Sequence, residues 1–391
     1  MDSKLLKFPI FFLINSLCEG GAERGILTLS KEFVKNGHSV TILALSKNNF
    51  YEIPKGVEVV YLSKMEDTLS GLFKMLYIPY QAWLLKRYIQ KHKIELVQSH
   101  LFRSNFVNIL SGMIGSKQVI QVVNHSVVVR FFSEGLSGKV NLFFIRHLYP
   151  RADMVIHISQ QMKSNFNRYF FSTKNERVIY NPYDIKEIIE QSNEPIEDFV
   201  FDSHKRYLIT VGRLIPLKRF EDTLEALSRL DSDVELIILG DGSEREALEH
   251  RAIKLEIEKR VHFLGQVSNP FNYIKQSDIF ISSSSVEGFP NVLIESMLCG
   301  TAVVSSDCLS GPREILSPNS NHAKRLEDGI EFSEYGILYA VGDRVALIEA
   351  IRSLLSDETL VYLYRQKAFS RARTFSVRSI ALAYREVLNY G

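Results

Sequence analysis

The sequence predicts an α/β protein built from two doubly wound, Rossmann-like domains facing each other across a cleft. Three observations predict it. Short apolar runs alternate with amphipathic stretches, the βαβ rhythm of a parallel sheet covered on both faces. That rhythm stops once, in Asn181–Ser203, where Asn-Pro, Asn-Glu-Pro and a run of acids read as a linker, and then starts again. At 391 residues, the chain also exceeds what one ordinary core accommodates.

In the first half the expected strands are Pro9–Ile14, Ser39–Leu45, Glu58–Leu62, Glu95–Gln98, Val119–Val123 and Met154–Ile158. Helical patterns lie between most of them, including Glu23–Lys35 and Leu72–His92, the second necessarily kinked or divided at Pro79. After the break, Tyr207–Val211, Val234–Leu239, Val261–Leu264, Ile279–Ser282 and Ala302–Ser305 are strand-like again. The expected domains are residues 1–190 and 200–375, with a last helix, 376–391, rejoining the first. The apolar start, Lys4 to Cys18, reads as a first buried strand rather than a signal peptide, because Asn15 interrupts it and no small-residue cleavage site follows.

Composition excludes several classes. A hydrophobic fraction of 46% and a charged fraction of 24% are those of a globular protein, and no window is apolar for long enough to span a membrane. Three cysteines without a CxxC pair point to a reducing compartment, and neither a disulfide framework nor a structural zinc site is expected. The expected location is therefore cytoplasmic, with at most a peripheral attachment to the inner face of the cell membrane. Residues 1–190 carry 24 Lys+Arg against 15 Asp+Glu, a net +9, whereas the remainder is acidic. A basic half suits an anionic partner such as a membrane surface, and it also fits ordinary drift of surface charge between domains. No aromatic-basic motif supports nucleic-acid binding.

In open α/β sheets, ligands bind beyond the carboxyl ends of the strands, so the chemistry is sought in those loops. Glu19-Gly20-Gly21-Ala22-Glu23-Arg24-Gly25 follows the first strand and leads into a helix, where glycines let a phosphate approach the backbone. A dinucleotide fingerprint would need an acid after the second strand, and Leu45-Ser46-Lys47 offers none. Thr210-Val-Gly212-Arg213 continues to Lys218, two cations that suit a diphosphate: a forked contact from Arg213 and a point charge from Lys218. Gly240-Asp241-Gly242 reads as a structural turn, and the loop after Gly265 places the backbone of Val267 to face a base edge. Asp231 and Asp233 have metal-like spacing but fall at the entry end of a strand, so a turn is expected. His100 and His125 stand at two strand ends of the first half, and His125 is the candidate for chemistry.

The most informative segment is Glu287-Gly-Phe-Pro-Asn-Val-Leu-Ile-Glu295. Glu287 follows a strand and a run of four serines; Glu295 lies about one turn into a helix whose first turn includes Pro290. Between them the free amides at the helix start, around Asn291 and Val292, favour an anion. Two carboxylates for hydroxyls and a helix end for phosphate suit a sugar nucleotide.

These residues resemble the retaining glycosyltransferases of family 4, which have the GT-B fold. The resemblance covers nearly the whole chain: Gly-Gly-Ala-Glu at 20–23, Gly212-Arg213 with Lys218, Gly240-Asp241-Gly242, Phe263-Leu-Gly265, and the acid-x7-acid motif at Glu287 and Glu295. The loop Ser306-Asp-Cys-Leu-Ser-Gly-Pro-Arg-Glu is similar to that of bacterial glycan-assembly enzymes, hexosamine transferases among them. The resemblance implies that Arg213 and Lys218 hold the donor diphosphate, with Gly21 near it. It assigns Glu295 to the ribose, Glu287 to the donor sugar, and to His125 a place beside that sugar. It further implies a UDP-linked donor, no cofactor and no divalent metal.

The expected reaction moves a hexose or N-acetylhexosamine from a nucleotide diphosphate sugar to a sugar hydroxyl, with the anomeric configuration retained. The expected acceptor is a polyprenyl-diphosphate-linked or other surface glycan. Leu72–Lys93 and Lys139–Arg151 mix aromatic and basic residues and suit either a membrane interface or the buried faces of helices. The rival readings are a GT-B enzyme of other chemistry, such as a sugar-nucleotide epimerase, and a non-catalytic sugar-nucleotide-binding subunit.

Overall fold

The computed structural model describes residues 7–18, 20–64, 71–132, 134–173 and 175–389; Lys4, Glu19 and Tyr390, assigned above to a strand, a loop and a helix, lie outside the described residues. It divides into two compact units, Met1–Tyr183 with Val377–Gly391, and Asp184–Ser376.

The first unit is a sheet of seven parallel strands: β1 (Pro9–Ile14), β2 (Ser39–Ala44), β3 (Val57–Tyr61), β4 (Leu96–His100), β5 (Val119–Asn124), β6 (Met154–His157) and β7 (Glu176–Val178). Their spatial order is β3-β2-β1-β4-β5-β6-β7. Strands covered on both faces lose the polar positions that would betray an alternation, which is why β1, β2 and β6 are near-continuous apolar runs. Leu13, Leu43, Val97, Val122 and Val155 meet Leu85, Phe106 and Ile109 from the flanking helices in one core. The helix Gly21–Lys35 buries Ile26, Leu29 and Phe33 on one stripe and stops at Asn36, where Gly37 turns the chain with a φ of 86°.

The expected helix at Leu72–His92 is two helices, Gly71–Leu76 and Ile78–His92. Pro79 sits in the first turn of the second, where its missing N–H costs nothing. The final helix, Val377–Leu388, packs on Gly21–Lys35, and its Val377 N–H donates to the Tyr183 carbonyl oxygen over 2.8 Å.

The second unit repeats the pattern with β8 (Arg206–Val211), β9 (Val234–Leu239), β10 (Val261–Gly265), β11 (Ile279–Ser282), β12 (Ala302–Ser306), β13 (Ile330–Phe332) and β14 (Ile337–Tyr339). The order is β10-β9-β8-β11-β12-β14-β13, all parallel except the hairpin of β13 with β14. Its core gathers Leu208, Leu236, Ile281, Val304 and Ile337 against Leu224, Leu347 and Ile351.

The structure differs from expectation at the division. Residues 181–203 are not a bare linker: Asp184 caps a helix, Ile185–Ser192, accepting from the Glu187 N–H over 3.2 Å. Asn269 secures that helix to the second unit by donating to the Gln191 carbonyl oxygen over 2.8 Å. The partition accordingly falls at Tyr183 rather than near 190. Both sheets reverse their strand order at one place, between β1 and β4 and between β8 and β11. Ligands of open α/β sheets bind at such switch points.

Candidate active site

At the second switch point β8 ends at Val211, and the chain passes through Gly212 and Arg213 into a short 3-10 turn, Pro216–Lys218. Two neighbours shape this loop. Gly240 has a φ of +128°, and a Cβ there would lie 2.0 Å from the Gly212 carbonyl oxygen, so no other residue fits. The Leu214 N–H donates to the Asp241 carbonyl oxygen over 2.9 Å. Gly240-Asp241-Gly242 is thus the buttress of the cationic loop.

The serines after β11 fasten the other side. Ser283 Oγ donates to the Lys218 carbonyl oxygen over 2.7 Å, and the Ser285 N–H donates to that of Leu217 over 2.8 Å. Ser284 Oγ reaches Glu287 Oε1 at 2.6 Å, and Lys218 Nζ pairs with that same oxygen at 2.5 Å. Lys218 and Glu287, 69 residues apart in sequence, therefore form one half-buried ion pair. Arg213 is exposed, and its guanidinium makes no hydrogen bond or ion pair among the described residues.

Below this pair lies the loop Ser306–Glu314. Ser310 Oγ donates to the Gly288 carbonyl oxygen over 2.7 Å, and a Cβ at Gly311 would fall 2.3 Å from Pro290 Cδ. Arg313, 3% exposed, donates to Asp307 at 2.6 Å, and Asp307 also accepts from the Leu326 N–H at 2.8 Å. A buried pair satisfied this way holds the loop as a floor under Gly288–Pro290.

The helix carrying Glu295 runs from Asn291 to Leu298, so Pro290 is its cap in extended conformation rather than part of its first turn. No side chain caps this start; Asn291 and Val292 are half-buried and Glu295 is buried. Val267 is half-buried just after β10, the edge strand, with β9 between it and β8. Asp231 and Asp233 do form a turn, both bound by Arg206, with 2.8 Å from its Nε to Asp233. Among the described residues, no group of three or more His, Cys, Asp or Glu is placed to hold a metal.

In the first unit Gly21 is the exposed first residue of its helix. His125, half-buried just past β5, shares a 2.9 Å hydrogen bond with Nδ1 of the buried His100 at the end of β4. Burial lowers the pKa of His125 to about 4; burial, and then the neighbouring His125, push that of His100 well down. Both rings are neutral at pH 7. His100 Nε2 meets Gln98 Oε1 at 3.1 Å, Gln98 Nε2 donates to Gln121 Oε1 over 2.8 Å, and Gln121 Nε2 donates to the Val387 carbonyl oxygen over 2.6 Å. Sequence reasoning named both histidines and missed the two glutamines. The available signal was a pair of amides inside central strands, where burial demands a partner.

The two aromatic-basic segments divide their residues. Ile78, Leu85 and Ile89 are core, whereas Tyr77, Tyr80 and Trp83 are exposed, Tyr80 stacked on Trp83 and Arg87 placed 4.8 Å from the Trp83 ring. In the other segment Ile145 and Leu148 are buried and Phe143 is exposed. Of the first segment, the Leu72 side chain lies outside the described residues. Among the described residues, no helix is long and apolar enough to cross a membrane.

Two family profiles match, "Glycosyltransferase Family 4" over residues 19–187 and "Glycosyl transferases group 1" over residues 191–373. A Campylobacter jejuni protein named N-acetylgalactosamine-N,N'-diacetylbacillosaminyl-diphospho-undecaprenol 4-alpha-N-acetylgalactosaminyltransferase is 29% identical, over 98% of this chain and 99% of that one. A second enzyme of that organism, an alpha-1,4-N-acetyl-D-galactosaminyltransferase also named for a diphospho-undecaprenol-linked glycan, is 26% identical over 95% of each chain. Among solved structures, Anabaena HepE in complex with UDP superposes with a TM-score of 0.74 at 22% identity, over 98% of this chain and 100% of that one. Sucrose-phosphate synthase from Thermosynechococcus elongatus reaches 0.80 at 19% identity, with 98% and 100% covered. With the fold shared end to end and both halves matched in order, the chain belongs to the family 4 type of GT-B glycosyltransferases.

Proposed function

We propose that this glycosyltransferase moves a hexose or N-acetylhexosamine from a UDP-linked donor to a sugar hydroxyl of a polyprenyl-diphosphate-linked or similar surface glycan, with retention and without a metal. The observation that carries this reading is the second switch point, where an unpaired Arg213 stands in the same loop as a lysine–glutamate pair. The second unit would hold the donor and the first the acceptor. Arg213 and Lys218 would take the diphosphate and offset the charge that grows on it as the glycosidic bond breaks, the task a metal performs elsewhere. Glu287 would then exchange Lys218 for hydroxyls of the donor sugar. Glu295 would take the ribose, the amides at Asn291 and Val292 and the glycine at Gly21 would lie along the diphosphate, and Val267 would border the base.

The acceptor hydroxyl would attack from the face that the diphosphate leaves, handing its proton to a phosphate oxygen. His125 would hold the donor sugar through one hydroxyl. UDP is favoured because a structural neighbour holds it, and a lipid-linked acceptor because both Campylobacter relatives are named for one. The exposed Tyr77, Tyr80 and Trp83, with Arg87 alongside, would suit approach to an anionic membrane interface.

The test is product analysis: UDP-, GDP- and ADP-sugars are offered with polyprenyl-diphosphate-sugar acceptors in the presence of EDTA, and the new anomeric centre is read by NMR. Retained transfer from a UDP-sugar is expected, together with loss of orders of magnitude in turnover for Arg213→Ala and Lys218→Ala. An inverted product, a requirement for metal, or near-normal transfer by either variant overturns the reading.

A further inference from the structure

The polar chain behind His125 begins at a group whose role is fixed. A backbone carbonyl can only accept, so the Gln121 atom 2.6 Å from the Val387 oxygen is the amide nitrogen. Gln121 therefore turns its oxygen to Gln98, which must answer with its own nitrogen at 2.8 Å. That leaves the Gln98 oxygen facing His100 Nε2 at 3.1 Å, so Nε2 carries the proton of His100. A neutral imidazole has only one N–H, so His100 Nδ1 is bare and accepts from His125 Nε2 at 2.9 Å. The proton of His125 thus lies on Nε2, and its Nδ1 keeps a lone pair. Through its ring His125 makes no other hydrogen bond among the described residues.

We propose that Gln121, Gln98 and His100 are positioning residues that lock His125 with its proton inward, so that it meets the sugar through Nδ1 as a hydrogen-bond acceptor. A ring locked this way accepts a hydroxyl proton and cannot donate to a ring oxygen or to the leaving diphosphate. It also keeps one orientation, because Gln98, His100 and Gln121 are 0–1% exposed and are held by cross-strand register, Gln98 lying opposite Gln121. The low pKa of both rings supports the lock, since neither is called upon to carry a charge near neutral pH. The chain of bonds has no other role in the reaction set out above. Its cost is three buried polar side chains within a core that apolar residues would fill more simply.

The inference rests on the placing of His125 beside the donor sugar, and the experiment separates the two. The full chain is labelled with 15N-histidine, and two-bond proton–nitrogen spectra at pH 7.5 report which nitrogen of His125 is protonated. The resonance is assigned by its loss in His125→Ala. A protonated Nε2 and a bare Nδ1 are expected. In the double variant Gln98→Met/Gln121→Met, which removes both partners at similar volume, the signals should shift toward a mixture of tautomers. Turnover should then fall about ten-fold with KM for the donor within about two-fold, the pattern of a misaligned rather than an absent site. A protonated Nδ1 in the native protein overturns the proposal, as does a double variant with native spectrum and native turnover. If the double variant does not fold, the native spectrum decides alone. Full turnover by His125→Ala, with Nε2 protonated in the native protein, would instead overturn the placing of His125 and leave the lock standing.

Discussion

The two sheets run the same strand order to the same reversal, yet their exits are furnished differently. At the first, between β1 and β4, two neutral histidines and two amides are bonded in series, all but His125 buried, and the Arg103 guanidinium is turned onto the Asn15 carbonyl oxygen and Ser46 at 3.3 and 3.2 Å. At the second, between β8 and β11, the groups are charges: a guanidinium without a side-chain partner among the described residues, and an ion pair, partly open to solvent. A series of neutral, hydrogen-bonded groups can orient hydroxyls, and exposed charges can take a diphosphate. On the function proposed above, one topology serves both halves of a transfer reaction, the difference residing in a few side chains at equivalent strand ends.

This contrast can be broken or sharpened by experiment. The largest effect is expected at the floor of the charged edge. Asp307→Asn removes the buried partner of Arg313, leaves it only Glu331 as a charged partner, 3.0 Å away on the half-buried side, and should cost about 3 kcal/mol. Trp83, the chain's one tryptophan, lies in the first unit. Urea unfolding should therefore show the loss in far-UV circular dichroism while the tryptophan transition stays in place. A joint shift of both signals would mean that the units do not unfold separately.

Lys218→Ala comes next, with turnover expected to fall by about 10²–10³, the scale for removing one group that stabilises developing charge. Radiolabelled sugar transfer measures it, and the histidine spectrum of the first unit should be unchanged.

Acid should distinguish the units in the reverse sense. Burial holds His157, on β6, at a pKa of about 4. Unfolded histidine titrates near 6.5, so below that pH the unfolded chain takes up a proton that the folded chain refuses. The stability contributed by keeping His157 neutral is complete above pH 6.5 and is lost as pH falls toward 4, about 3 kcal/mol in all. His125 and His100 act in the same direction. The Trp83 transition should weaken over this window, and His157→Phe should flatten the dependence; an equal acid sensitivity in that variant would refute the assignment.

The smallest effect is expected from Glu287→Gln. Releasing Lys218 from its 2.5 Å pair should tighten UDP binding several-fold, on the order of 1 kcal/mol, while transfer slows. Weaker UDP binding in calorimetry would show that Glu287 supports the lysine rather than competing for it.

Much of this was legible in the sequence, for identifiable reasons. Strands β1, β2, β5, β8, β9 and β11 are apolar runs bounded by turn residues, and burial on both faces makes such runs conspicuous. Strands β7, β13 and β14 have three residues each and carry no period to detect. The helix Ile185–Ser192 was hidden because Asp184, its cap, belongs to an acidic, proline-bearing stretch that reads as a linker. Glu287 and Lys218 were visible as site candidates, each from its place at a strand end. That they pair with each other was not, nor that Gln98 finds Gln121 and Gln121 finds Val387, 266 residues away. Partners of that kind are fixed by strand register and by the return of the last helix, and local pattern holds neither.

The return of that helix also imposes an order on how the chain is made. The second unit is continuous from Asp184 to Ser376, and all of its strands are made before Val377–Leu388. The first unit, although its seven strands are made earliest, waits for Val377–Leu388 before the Gln121 amide has its carbonyl and the helix Gly21–Lys35 has its cover. Domains ordinarily complete themselves from the amino end onward. Here the half made first is finished last, so a chain truncated before Val377 would carry a complete second unit and a first one open at its core.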